Sequence, residues 1–311
     1  MKKKRNPTVA VALLAAMQLS TTSFAADGAS TVKGAGDALV LAAPPRGSAE
    51  EDVALFRPLA DYLGKVLGRR VVYRHAANWD VYREEMVKGA QDIVFDAPHF
   101  TGWRVDNLKY QVATRVNANY VYTVVVRRED DAIKDLTNLR GYTVCSHAPP
   151  HLSTLILFNE FKNSVRLPVL VTTEGYDHVF EKLLSAKCRA GVIPEEDLKS
   201  LDRDPAKTRV VYKHSALPHY AVSVSPRVSA DERARIADAF VSPAGATVTL
   251  KVRQAYKIKE GFVAADAGQY ANLGRYLANE WGYGTLSADQ QGGRSIAQAA
   301  QWGGSVAAPA R

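Results

Sequence analysis

Residues able to bind or ligate crowd two short stretches of the chain: Asp96 and His99 in DAPHF, and His147 and His151 in SHAPPHLST. The second stretch adds the hydroxyls of Ser153 and Thr154. Imidazoles and hydroxyls are hydrogen-bond donors suited to a small anion, and an imidazole gains charge as pH falls through about 6.5. The same atoms can ligate a metal, with Cys145 as a soft ligand. Pro149 and Pro150 lie between His147 and His151, however, and keep them off a single helical face. The anion chemistry is the preferred expectation, and no metal or other cofactor is expected.

Both stretches follow short β-branched and aromatic runs that read as buried strands, Ile93–Phe95 and Tyr142–Cys145. After the second, the proline pair stops the strand and an apolar helix is predicted from Leu152 to Phe161. Its first turn would present free N–H groups and the positive dipole end beyond the strand. The same alternation runs along the chain. A helix is predicted over 51–67 with Val53, Phe56, Leu59, Leu63 and Val66 on one face, closed by Gly68. Asn78 caps a helix from Trp79 to Lys88 that ends at Gly89. A short helix around Phe100–Asn107 precedes strand Tyr110–Ala113 and a long strand Tyr120–Arg127. Strands Val169–Thr172, Ala190–Ile193 and Arg209–Tyr212 alternate with helices Tyr176–Ala186 and Glu195–Leu201. After an extended segment Leu217–Ser225 the pattern turns helical: Ala230–Phe240, a stretch near Thr247–Tyr256, and Gln269–Trp281.

Such alternation argues for an α/β fold with two mostly parallel sheets flanked by helices. Two extended crossings, near 120 and 221, divide the chain into lobe 1 (38–120 plus 222–283) and lobe 2 (121–221), hinged with a cleft between them. Open α/β sheets bind ligands beyond the carboxyl ends of their strands, where both donor-rich loops would sit.

The net charge of +8 overstates the basic character of the folded part. Lys2, Lys3, Lys4 and Arg5 precede an apolar run, Val9–Leu19, and a small-x-small site at Ser23-Phe24-Ala25. That is the pattern of a signal peptide over 1–25, too short to span a bilayer, and it predicts export to the periplasm. Removing its four positive charges leaves +4, too mild and scattered for nucleic-acid binding. The segment 284–311, rich in Gly, Ala, Gln and Ser, is expected to be a disordered tail.

In its order of motifs the chain resembles the periplasmic phosphate/phosphite/phosphonate-binding proteins of ABC importers, a branch of the type II solute-binding fold. The resemblance covers roughly 38–280 and rests on FRPLADYLGKVLGRRVVY, the helix beginning Trp79-Asp80-Val81-Tyr82, GAQDIVFDAPHF, YTVVVRREDDAIKDLTNLRGYTV and TEGYDHVFEKLLSAKCRAGVI. It implies an oxyanion held at a helix N-terminus by a Ser-Thr-Ser run, where this chain has His151-Leu152-Ser153 followed by Thr154. It places Trp79 at an aromatic cleft position, Ala97-Pro98 at a Gly-Pro loop and Gly175-Tyr176-Asp177 at a Ser-His-Asp turn. The expected ligand set is then Trp79, Tyr82, Asp96, Pro98, His99, Phe100, His147, His151, Ser153, Thr154, Tyr176 and Asp177. These departures mark a divergent member and weaken the phosphonate inference: the expected ligand is a small oxyanion, phosphonate- or phosphate-like, or another small anion, with Trp79, Tyr82 and Phe100 forming a wall for an organic substituent.

The expected function is capture of such an anion and delivery to an ABC permease by a monomeric periplasmic protein. The alternatives are a ligand sensor for a membrane histidine kinase, or a metal receptor using the histidines. Catalysis is not expected: the sequence contains no nucleophile elbow, zinc-hydrolase signature or Gly-rich phosphate loop, and His219 and Asp177-His178 stand apart. Cys145 and Cys188 are the only cysteines. An oxidising compartment favours a bridge between them. Against this, Cys188 lies before its strand and Cys145 late in the neighbouring one, a placement that could exceed the roughly 7 Å limit between Cα atoms.

Overall fold

The computed structural model describes residues 38–161, 166–203 and 206–284. The expected signal peptide and nearly all of the expected tail lie outside them. Two sheets carry the chain. The first takes strands β1 (Leu39–Ala42), β2 (Val71–Tyr73), β3 (Ile93–Asp96), β4 (Gln111–Val116), β12 (Ala221–Val224) and β13 (Phe262–Ala264), in the order β13-β4-β12-β3-β1-β2. The second takes β6 (Tyr122–Arg127), β7 (Thr143–Ser146), β8 (Val169–Thr172), β9 (Ala190–Pro194) and β10 (Thr208–Lys213), in the order β10-β6-β9-β7-β8. Between them, β5 (Asn119–Tyr120) and β11 (Leu217–Pro218) pair as an antiparallel ribbon.

Each sheet is mixed rather than mostly parallel. Strands β1, β2 and β3 run parallel, as do β7, β8 and β9, because a helix crosses over between successive members of each set. The strands that carry the chain between the sheets enter antiparallel: β12 lies between β3 and β4, and β6 between β9 and β10. The long strand expected over Tyr120–Arg127 is interrupted at Val121, where the chain leaves the ribbon and enters the second sheet.

Helix α1 (Ala49–Leu67) begins at Ser48, whose hydroxyl accepts from the Glu51 N–H while the Glu51 carboxylate accepts from the Ser48 N–H at 2.8 Å. Gly68 closes it in the left-handed region, φ 65°. Phe56, Leu59 and Leu63 face the core as expected, but Val53 is exposed. The helix turns Asp52 inward in its place, where its carboxylate bonds the His75 ring at 3.0 Å and receives the Arg46 N–H at 3.4 Å. Asn78 caps α2 (Trp79–Val87) by accepting from the Val81 N–H at 2.9 Å. Helix α3 starts at Pro98, two residues earlier than expected, and runs to Leu108. Helices α4 (Leu152–Asn159), α5 (Tyr176–Leu184) and α6 (Glu195–Leu201) flank the second sheet, and α7 (Ala230–Val241) packs on α1. The stretch near 247–256 divides into α8 (Pro243–Val248) and α9 (Leu250–Ala255).

The helix expected over Gln269–Trp281 does not form; two 3-10 turns, Ala267–Gln269 and Leu273–Leu277, take its place. Their backbone presses on α3 where glycine faces it: a Cβ on Gly102 would stand 2.6 Å from the Tyr270 carbonyl, and one on Gly274 would stand 2.8 Å from the Trp103 Cα. This segment also contacts α4 and joins a core shared by Phe100, Trp103, Leu155, Ile156, Tyr276 and Leu277. Cys145 and Cys188 form a disulfide with Cα atoms 5.7 Å apart. The register pairs Cys145 with Gly191, but a turn through Ala186 at φ 58° folds Cys188 back beside β7. Among the described residues no helix is long and apolar enough to cross a membrane.

Candidate functional site

The carboxyl ends of β1 and β3 in the first sheet, and of β7 and β8 in the second, lead into loops 43–47, 97–98, 147–151 and 173–175. These loops meet between the sheets. His99, in the first turn of α3, bonds through Nε2 to the Pro150 carbonyl of the opposite loop at 3.0 Å. A carbonyl accepts, so His99 carries its proton on Nε2, and its buried Nδ1 has no protein partner. Burial pushes the His99 pKa down to about 3, outweighing the carbonyl bond, and the ring is neutral at physiological pH.

The start of α4 is arranged differently from the free N-terminus that the sequence implies. His151 is its N-cap, and His151 Nδ1 accepts the Ser153 N–H at 3.3 Å. The Thr154 and Leu155 N–H groups go to the His151 carbonyl at 3.1 and 3.2 Å. The hydroxyls are engaged with one another: Ser153 Oγ lies 2.8 Å from His151 Nδ1 and 2.9 Å from Ser146 Oγ, and Thr154 Oγ1 bonds Ser146 Oγ at 2.8 Å and the His147 carbonyl. Ser153 and Thr154 are fully buried. They tie the 146–154 loop together and do not present free hydroxyls. Burial, then the neighbouring His147, His99 and Arg46, hold the His151 pKa well below the usual imidazole value.

His147 stacks on His151 with ring centroids 4.2 Å apart, because the turn at 148–150 folds the chain back on itself. Its Nε2 accepts the Gly175 N–H at 3.2 Å, so the proton sits on Nδ1. That N–H is buried without a protein partner. Burial and then the Arg46 charge hold its pKa below the usual value.

Arg46 was not among the expected site residues. It follows Pro44-Pro45 at the end of β1, and its guanidinium lies 4.4 Å from the Tyr256 ring centroid and donates to the Tyr220 hydroxyl. It remains accessible to solvent although the site walls enclose it. Tyr120 and Tyr220, on the inter-sheet connections, were missed as well. The Tyr120 ring stacks on His219 at 4.0 Å and on Tyr122 at 5.5 Å, and Tyr122 bonds Tyr176 at the start of α5. Burial raises the pKa of Tyr120, Tyr122, Tyr176 and Tyr220, leaving each a neutral hydroxyl. A lone arginine at a strand's carboxyl end was the one signal available for Arg46. The tyrosines carry no local pattern.

The remaining expected residues divide. Trp79, exposed at the edge, stacks on Phe100 with centroids 5.8 Å apart, and the Tyr82 ring meets both edge-on. Asp96 and the Tyr82 hydroxyl point away from any ligand, in a fully buried network. The Tyr82 hydroxyl donates to Asp96, and Arg104 donates from Nε to Asp96 at 2.7 Å and from Nη2 to Tyr82 at 3.2 Å and to Gln91. Pro98 serves as the first residue of α3, and Asp177 is exposed in the first turn of α5. Among the described residues no three His, Cys, Asp or Glu side chains come together to hold a metal ion.

A family model described as "ABC transporter, phosphonate, periplasmic substrate-binding protein" matches residues 41–270. No curated protein matches the sequence. Among solved structures, a Xanthomonas citri protein, XAC2383, bound to ATP superposes with a TM-score of 0.60 at 16% identity, covering 79% of this chain and 97% of its own. PhnD1 from Prochlorococcus marinus in complex with methylphosphonate gives 0.56 at 13% identity, covering 78% and 97%. A binding-protein component of an ABC phosphonate transporter from Pseudomonas aeruginosa gives 0.51 at 13% identity, covering 75% and 83%. The fold is therefore the two-lobed type II periplasmic-binding-protein fold.

Proposed function

Starting from a chain that belongs to the periplasmic substrate-binding proteins of phosphonate ABC transporters, we propose that it captures a small organic oxyanion between its lobes and delivers it to an ABC permease. Family membership makes it a transport component of the periplasm with a small-molecule ligand. The ligand's chemistry is read from the site. The observation that carries it is the convergence of the Arg46 guanidinium from the first lobe with the unpartnered His147 Nδ1–H from the second, inside a ring of neutral tyrosine hydroxyls. A cation with hydrogen bonds to spare, opposite an imidazole donor, suits a phosphonate-like head group. Trp79 and Phe100 supply the apolar surface for its substituent. The binding role has no use for a nucleophile or a proton relay, and the function is non-enzymatic.

In this reading lobe 1 (38–120 with 222–283) and lobe 2 (121–221) close on the ligand about the β5–β11 ribbon, and the chain reaches the periplasm by cleavage after Ala25. A radius of gyration unchanged at ligand saturation would contradict the closure. The decisive experiment is calorimetry of the protein against phosphate, phosphite, alkylphosphonates, sulfonates and carboxylates, with Arg46→Ala alongside. Loss of hydrogen bonds to a charged group corresponds to about 1.5–3 kcal/mol, a weakening of roughly 10- to 100-fold. An Arg46→Ala protein that binds as tightly as the native chain, or a neutral solute that binds best, would refute the reading.

A further inference from the structure

Given that anion site, the structure also bears on which anions it accepts. A doubly charged tetrahedral anion needs either two cations or an open helix N-terminus with free hydroxyls. Helix α4 offers no free hydroxyl. Its Ser153 N–H is held by His151 Nδ1, and the Ser146, Ser153 and Thr154 hydroxyls bond one another, His151 and the His147 carbonyl. The donors left around it include the Arg46 guanidinium, the unpartnered His147 Nδ1–H and the tyrosine hydroxyls. Lys257 and Lys259 lie within electrostatic reach of the Asp177 and Asp197 carboxylates, two charges against two. His99, His147 and His151 are neutral. One unmatched positive charge balances one negative charge, and a second would be desolvated without a partner.

We propose that His151 is a specificity-determining residue: by capping α4 with its own ring it closes the helix end to dianions, so that the protein takes singly charged organic oxyanions, held by Arg46 and His147, in preference to inorganic phosphate. This rests on the interlobe anion reading above and adds to it the charge of the ligand and the residue that selects it. His151 acts here by position, through the Ser153 N–H and the hydroxyl cluster.

The test uses the native chain, His151→Gly and His151→Asn, titrated calorimetrically with methanesulfonate, methylphosphonate and inorganic phosphate at a pH where phosphate is a dianion. Glycine is tolerated at an N-cap but leaves the Ser153 N–H open, whereas asparagine caps it again. The native protein should bind the sulfonate at least about tenfold more tightly than phosphate, a tenfold ratio being about 1.4 kcal/mol. His151→Gly should lose most of that ratio through tighter phosphate binding, and His151→Asn should restore it. His151→Ala, which has no side-chain acceptor and so also leaves the Ser153 N–H open, is made alongside and should move in the same direction as glycine, so that a glycine variant unable to fold still leaves a measurement. Equal native affinity for phosphate and sulfonate would overturn the inference. So would a cooperatively melting His151→Gly or His151→Ala protein whose selectivity is native. If instead no anion binds the native chain, or binding ignores Arg46→Ala, the interlobe anion reading itself falls.

Discussion

Asp96 is where sequence and structure disagree most sharply about role, and its replacement by asparagine separates the two. The sequence places this carboxylate on a ligand loop. In the structure it is fully buried and receives the Tyr82 hydroxyl and the Arg104 Nε–H, the latter at 2.7 Å. The Arg104 side chain is itself completely buried, and one of its terminal nitrogens, Nη1, has no partner. Asparagine keeps the shape and one acceptor but removes the counter-charge, leaving a guanidinium desolvated against neutral groups. Breaking a buried pair in this way destabilises by about 3–5 kcal/mol. For a chain of this size each kcal/mol lowers Tm by about 2–4 °C, so the midpoint should fall by about 6–20 °C. Thermal unfolding followed by circular dichroism reads the shift, and calorimetry below the transition should find ligand affinity within about twofold of native, as for a residue outside the contact set. Replacing both partners, Asp96→Leu with Arg104→Met, should recover much of the loss because no buried charge is left alone. A native Tm in Asp96→Asn, with ligand binding abolished, would show that the carboxylate serves the ligand and that the network is misread.

Replacing Cys145 and Cys188 by serine opens a loop with a sequence separation of 43, which in the chain-entropy account destabilises by about 4 kcal/mol; urea midpoints of the native and double-serine proteins measure it, and equal midpoints would contradict the bridge. Stability should also fall as pH drops below the usual histidine value of about 6.5, because burial depresses His99 and His219 to about 3 in the folded chain. The unfolded chain then binds protons that the folded one does not, so each histidine removes about 2 kcal/mol by about pH 5; a His219→Gln protein should show a correspondingly flatter slope between those pH values, and an unchanged slope would refute the assignment.

Much of the fold was legible because its signals are local. Gly68, Asn78 and Gly89 terminate or cap helices where the sequence places them, since a left-handed turn or an N-cap depends on one residue and its immediate neighbours. The strand–helix alternation was legible for the same reason. What the sequence hid is non-local. Residues 269–281 have a helical pattern but lie as 3-10 turns, because α3 approaches them at Gly102 and Gly274 with no room for Cβ atoms. The disulfide turned on a single left-handed residue, Ala186, which reverses the chain before β9 and brings Cys188 to β7. Arg46 and the tyrosines of the inter-sheet connections were invisible because their partners lie far along the chain, across the interlobe site.

The hydroxyls of Ser153 and Thr154 were seen in the sequence, but the structure engages them with the protein instead of leaving them free. Side-chain types at a helix start report hydrogen-bonding capacity; they do not report whether that capacity faces a ligand or the protein. Here a single feature decides it. An imidazole at the N-cap is long enough to reach the Ser153 N–H while its Nδ1 also meets the Ser153 hydroxyl. Once that hydroxyl is drawn inward, Ser146 and Thr154 are close enough to complete the cluster, and Thr154 reaches the His147 carbonyl. The loop is thereby held by side chains at both of its ends, and His147 is fixed with Nε2 toward Gly175 and Nδ1 unpartnered. The donors lost at the helix end and the donor left unpartnered at His147 are two consequences of one arrangement. On the proposed anion reading, the ligand finds a neutral N–H donor in this lobe and its counter-charge in Arg46 from the other. On that reading binding uses both lobes together, which is the condition under which ligand can drive their closure.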